Sequence, residues 1–150
     1  MKKTAKDFIF VGIQILLLIF YVIPMDLYVL EIPIFIRITS IIMASLGLVI
    51  CLWAIIKLRP SLSIFPSPKS GSKLIQSGVY AYFRHPIYTG LFLFCFAYSI
   101  YSQSGLKFIL SISLFFLFYL KAKYEEKRLL NHFSNYKEYR RRTWMFFPGF

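Results

Sequence analysis

The chain has 150 residues, 58% of them hydrophobic, with eighteen basic against six acidic side chains and a formal net charge of +12. A mean hydropathy of +0.63, with the charges gathered in clusters instead of scattered over a surface, argues against an ordinary water-soluble globule and for membrane spans. The basic excess reads as a patch beside anionic lipid and not as a nucleic-acid surface, and two cysteines make no disulfide framework.

The first apolar run, Phe8 to Ile23, follows Lys2, Lys3 and Lys6. Its start matches a secretory leader, but Tyr21, Pro24, Met25 and Asp26 stand where a small-residue cleavage site belongs, so it is read as an uncleaved helix. Ile38 to Ile56 is the second run; Ile87 to Tyr101 and Leu106 to Leu120 are the third and fourth. A span takes about 17–25 residues, so the shorter runs borrow flanking residues. Tyr98 and Tyr101 suit the interface at the end of the third, and Lys121 and Lys123 can snorkel from the end of the fourth. The predicted spans cover about 7–24, 34–57, 86–103 and 105–123, in a single domain over 1–150. Cys51 and Cys95 fall inside apolar runs as small packing residues and imply no metal site.

Between the second and third runs, the stretch Arg59 to Ser77 is rich in Pro, Ser, Gly and Lys and is predicted to be a loop. Loops of this length inside compact folds tend to be lids or binding segments. Leu62, Ile64, Phe65, Leu74 and Ile75 suggest that it lies along the membrane surface. Beyond the fourth run, good helix formers without Pro or Gly predict unbroken helix through 121–133. A second short helix over 135–143 puts Tyr136, Tyr139 and Arg140 on one side, with Ser134 as its N-cap. Trp144 to Pro148 is an apolar cluster suited to the headgroup boundary.

The basic residues test the span count. Lys57, Arg59, Lys69, Lys73 and Arg84 lie between the second and third runs, and eight more follow the fourth. With the three N-terminal lysines, sixteen of eighteen fall on one face, and only Arg37 and Lys107 on the other. By the positive-inside rule the crowded face is cytoplasmic, so both termini are predicted there. The fold class is therefore all-α integral membrane, with about four transmembrane helices and a cytoplasmic C-terminal helix.

Chemistry concentrates in GVYAYFRHPIYTG, Gly78 to Gly90, at the mouth of the third run. An arginine at a helix centre costs about 2.5–3.5 kcal/mol on insertion scales, so such groups sit at interfaces or serve a function. Each has a plainer reading. Arg84 and His85 could anchor the helix at the headgroups, and Pro86 suits a first helical position. Glu125 and Glu126 could be solvated charges paired with Lys121, Lys123 or Arg128 at helical spacing. Arg140 to Arg142 could face lipid, and His132 is a lone interfacial histidine.

Taken together, LIQSGVYAYFRHPIYTG, then EEKRLL after the next span, then FSNYKEYRRR with a Pro near the end resemble the isoprenylcysteine carboxyl methyltransferase family. That family belongs to a wider group of integral-membrane methyltransferases that includes phospholipid N-methyltransferases. The resemblance covers roughly Pro66 to Pro148; the first two spans match only in being hydrophobic. Two positions depart from the common pattern, since Trp144 stands where Pro or Gly is frequent and Ser134 where Gly is often found.

The resemblance implies methyl transfer from S-adenosylmethionine to a lipophilic acceptor in a pocket facing the cytoplasm, without metal or nucleic acid. The donor's carboxylate wants an Arg, a His or backbone amides, its ammonium a carboxylate, and its adenine an aromatic or apolar slot; Arg84, His85, Glu125, Glu126, Tyr80, Tyr82 and Tyr88 supply those types. The implied donor contacts are Gly78, Val79, Tyr80, Arg84, His85, Pro86, Tyr88, Glu125, Glu126, Tyr136 and Tyr139. Glu126, Arg140 and Arg142 are the implied catalytic residues, with Arg142 favoured for orienting an acceptor carboxylate. A prenylated cysteine carboxylate, ionised near neutral pH, needs no general base, whereas a phosphatidylethanolamine-type amine must first lose a proton. A reading from a different class, a non-catalytic membrane adaptor or lipid-binding protein, predicts that these polar residues only pack. Binding of S-adenosylmethionine discriminates the two.

Overall fold

The computed structural model describes residues 3–24, 29–68 and 71–149. Lys2, Met25, Asp26 and Lys69, which entered the sequence reading, lie outside the described residues. The described residues form α1 (Ala5–Val22), α2 (Ile34–Leu58), α3 (Pro86–Tyr101), α4 (Gly105–His132) and α5 (Tyr136–Arg142), with single 3₁₀ turns at Arg59–Ser61 and Gly78–Ala81. Helices α1, α2 and α4 are long and apolar enough to cross a membrane. Helix α3, also apolar, has 16 residues, a length of about 24 Å against a hydrocarbon core of about 30 Å. It stops short of the expected 103 because Gln103 turns the chain at φ 56°.

Large apolar side chains face outward from the first two helices, among them Phe8, Ile13 and Leu16 on α1 and Ile42, Leu46 and Val49 on α2. Water would not tolerate so broad an apolar surface, and lipid solvates it. The inner face of α2 carries Ser40, Ala44, Gly47 and Ala54 instead, all buried. Small residues there let two backbones touch. A Cβ placed on Gly90 of α3 would stand 2.6 Å from Cys51 N and 2.6 Å from Gly47 O, and one on Gly47 would stand 2.7 Å from Phe94 N. The main core lies between α3 and α4, around Cys95, Leu114, Phe118 and Phe146, and Tyr21 of α1 joins it by donating to the Cys95 carbonyl at 2.6 Å.

The two ends of the bundle differ. At one end the α1–α2 and α3–α4 connections meet: Leu30 N donates to Gln103 O at 2.7 Å and Gln103 Nε2 to Leu30 O at 2.9 Å. Arg37 Nε reaches Tyr101 O there at 3.1 Å, and Lys107 lies over the Tyr98 ring. The other end gathers the 59–77 loop, the arginine–histidine segment, the last turns of α4, and α5. Helix α4 runs on without a break, as its composition implied. The expected N-cap at Ser134 is corrected: Asn135 occupies that position without a side-chain cap bond. The Tyr136 amide donates instead to Phe133 O at 3.2 Å, so the turn itself satisfies the first orphan donor.

Candidate active site

Pro86, with its fixed φ and no amide to leave unpaired, starts α3 and puts Arg84 and His85 immediately before the first turn. The segment is then pinned from the far end of the sequence. Trp144 N donates to Tyr82 O at 2.9 Å, Arg84 N to Trp144 O at 2.8 Å, and His85 N to Met145 O at 3.2 Å. These bonds pair the two segments in parallel, Phe83 beside Trp144, whose rings lie 6.2 Å apart. Trp144 thus packs on the residue next to Arg84. Gly78, at φ +64°, turns the chain into this region against the Lys57 side chain, a conformation that disfavours any residue with a Cβ.

Two adjacent glutamates on α4 point to different places. Glu126 is 2% exposed and accepts from Arg84 Nε at 2.6 Å, with Arg140 Nε at 3.3 Å on its second oxygen. Arg84 Nη1 also donates to the carbonyl oxygens of Arg140, at 3.1 Å, and Thr143. Glu126 is therefore the centre of an internal ion cluster tying α3, α4 and α5 together. Glu125 instead lines a cavity of about 360 Å³, where its Oε2 accepts from Tyr88 Oη at 3.0 Å and lies 3.8 Å from His85 Nδ1.

That cavity is lined by α1, the end of α2, the described loop residues 61–68 and 72–75, α3, α4 and α5. His85 stacks on Tyr88 with ring centroids 5.5 Å apart, and Tyr88 stacks on Phe118 at 4.8 Å, giving one flat aromatic wall. Two buried polar atoms at this wall make no hydrogen bond among the described residues, His85 Nε2 and Tyr136 Oη. The first lies 3.5 Å from Glu126 Oε1, at the outer limit of a hydrogen bond, and that nearness helps hold the Glu126 carboxylate ionised. Unmet buried polar groups cost about 1–3 kcal/mol each and are kept where something else meets them. Burial, reinforced by the fields of Glu126 and Glu125, pushes the Tyr136 hydroxyl well above its ordinary pKa, so it remains a neutral O–H donor.

Of the residues singled out from the sequence, Tyr80, Arg84, His85, Tyr88, Glu125, Tyr136 and Tyr139 line this cavity. Val79 and Pro86 are buried behind it, and Tyr139 Oη donates to Tyr80 O at 2.7 Å, holding the wall in place. Arg142 is not brought to it. Its guanidinium lies 3.6 Å from Glu138 on the outer face of α5, with 63% of the side chain exposed. Arg140 is the arginine directed inward. Tyr82 is 62% exposed and offers no slot, and His132 packs edge-on against Phe133 at 4.6 Å.

Three features lay outside the sequence reading. Lys121 does not snorkel outward: it is 1% exposed and donates to Gln14 Oε1 at 2.6 Å and Ile64 O at 3.3 Å, because its face of α4 turns toward the cavity. Gln14, a lone amide in the apolar body of α1, is the sequence trace of that contact. Asp7, fully buried, accepts from Ser67 Oγ at 2.6 Å and Thr4 N at 2.7 Å, fastening the loop to the start of α1. An acidic residue in the first apolar turn was its signal.

Residues 35–136 match the family model described as phospholipid methyltransferase. No curated protein matches the chain.

Proposed function

The chain belongs to the phospholipid methyltransferase family, and from that premise we propose that it moves a methyl group from S-adenosylmethionine to a lipophilic acceptor at the cytoplasmic membrane face. The observation that carries the reading is the cavity wall itself. An aromatic stack, the Glu125 carboxylate and three buried polar atoms with no hydrogen bond among the described residues, on Ser72, His85 and Tyr136, belong to a cavity whose remaining lining is mainly apolar but includes Gln14 and Lys121. Four spans with both termini cytoplasmic would put this end of the bundle in the cytoplasmic leaflet. The grouping of Arg37 and Lys107 at the opposite end supports that orientation.

The polar groups fit the donor's demands. His85 Nε2 and Tyr136 Oη are suited to its carboxylate, Glu125 to its ammonium, and the Tyr80 and Tyr139 side of the cavity to an adenine. When bound, S-adenosylmethionine supplies a methyl group already made electrophilic by its sulfonium. The chain's own task is then alignment and exclusion of water. Arg84 and Glu126 hold the His85 segment against α4, the 59–77 loop covers the cavity, and the His85–Tyr88–Phe118 stack fixes its wall.

Two acceptor chemistries follow. Carboxyl methylation of an isoprenylcysteine-like acceptor needs no base from the protein. N-methylation of a phosphatidylethanolamine-type headgroup needs one; Glu125 is the carboxylate on the cavity, and since the donor's ammonium already engages it in this scheme, it favours neither acceptor over the other. The test uses the detergent-purified full chain with radiolabelled S-adenosylmethionine, phosphatidylethanolamine vesicles and a prenylcysteine analogue. Label is expected in the lipid phase, alkali-labile if an ester and alkali-stable if an N-methyl group. Absence of both transfer and donor binding would reject the enzyme in favour of a non-catalytic lipid-binding protein.

A further inference from the structure

Lys121 is the buried charge that the donor-binding scheme leaves unused. Its ammonium has three protons, and among the described residues two of them go to neutral acceptors, the Gln14 side chain and the Ile64 carbonyl. Glu125, one turn on along the helix, bonds Tyr88 and lies against His85 and reaches Lys121 only through its field; no carboxylate lies within ion-pair distance of Lys121 among the described residues. The Tyr88 ring, 5.2 Å from Nζ, compensates only in part. A buried ammonium whose direct hydrogen-bond partners are all neutral is costly unless an anion joins it.

Its position narrows what that anion is. Lys121 sits one helical turn before Glu125, about 6 Å further toward the apolar body of α4. The cavity there is bounded by Val11 and Ile15 of α1 and by Ile64 of the loop, an apolar channel suited to a lipid chain. Gln14, which fixes the ammonium, comes from α1, outside the residues that match the family model. Adenine and amino-acid ends are served one turn away, so a second polar anchor at the apolar end suits the other reactant.

We propose that Lys121, held by Gln14, binds the anionic oxygen group of the lipid acceptor, a carboxylate or a phosphodiester, and so sets its depth in the cavity. The inference rests on the reading of this cavity as the acceptor site. It makes Lys121 a specificity determinant: acceptors carrying an anionic oxygen near the reacting group bind, and neutral amphiphiles of the same length bind weakly.

The experiment is a calorimetric titration of the full chain in maltoside micelles with N-dodecanoylglycine, its methyl ester and dodecyl phosphate. Wild-type protein is expected to bind at least one of the anions about tenfold or more tightly than the ester, and the anion preferred identifies carboxylate or phosphate as the source. Lys121→Met should bind all three alike with unchanged affinity for S-adenosylmethionine, and its melting temperature reports folding. Lys121→Arg keeps the charge and should keep the preference. No preference in the wild type, a preference retained by Lys121→Met, or a loss of donor affinity in that variant with anion preference intact would each overturn the assignment. The titration needs no turnover. Methyl transfer without anion preference would therefore remove Lys121 and spare the proposed activity, while anion preference without methyl transfer would do the reverse.

Discussion

Replacing Glu126 with alanine removes the carboxylate on which Arg84 and Arg140 converge. The Arg84 side chain is 8% exposed and that of Glu126 3%, so the variant leaves a guanidinium buried with only carbonyl oxygens as acceptors. Removing one partner of a buried pair costs about 3–5 kcal/mol, whereas the half-exposed Arg140 arm adds about 0–1. The expected loss of stability is therefore about 3–5 kcal/mol, nearly all from the Arg84 side. Equilibrium unfolding in detergent measures it, alongside the double variant Arg84→Met, Glu126→Leu. With both charges gone the double variant should regain most of the loss, because the penalty lies in the unpaired charge and not in a missing attraction. Hydrogen exchange at 143–146 should quicken in the single variant, since Glu126 no longer anchors the Arg84 guanidinium that holds the Thr143 carbonyl. A single-variant loss below about 1 kcal/mol, or a double variant no better than the single, would refute the view of Glu126 as a structural hub.

The opposite behaviour is expected at Tyr136. Its hydroxyl is buried with no hydrogen-bond partner among the described residues, so Tyr136→Phe should leave the ligand-free melting temperature equal or higher while S-adenosylmethionine affinity falls about tenfold; calorimetry and thermal unfolding on one preparation check both. Gly90→Ala should destabilise by about 1–3 kcal/mol, because its new methyl meets the backbone of α2, whereas Gly12→Ala on α1, with nothing within 4 Å, should be neutral or stabilising in the same unfolding assay.

Hydropathy and the lysine and arginine pattern made the long helices legible, because a 3.6-residue period is not needed when a whole run is apolar. The motif Arg84–His85–Pro86 and the pair Glu125–Glu126 were legible as chemistry, yet not which glutamate faces the cavity. Neighbouring residues on a helix differ by about 100° in direction, and only packing against α3 and α5 decides which turns inward. The same limit applied to Arg140 and Arg142 on α5. Lys121 was misjudged for a related reason: snorkelling is the default for a lysine at the end of a span, and its inward turn depends on Gln14, 107 residues away in sequence. The pairing of 82–85 with 143–146 is a backbone interaction and leaves no side-chain signature to read.

The approach of Gly47 to Gly90 bears on how a lipid gets in. Where two main chains touch, no layer of rotamers lies between them to be rearranged, so α2 and α3 act as one stiff rib behind the aromatic wall. Breathing falls to the opposite flank, where the first helix meets α4 through Gln14 and α3 through the Tyr21 hydroxyl, each a side-chain contact, and is clipped to the loop by Asp7 and Ser67. In the proposed reaction a lipid would therefore enter more easily between the first helix and the loop than past the α2–α3 rib, and the bond between Asp7 and Ser67 is the contact such an entry would have to break.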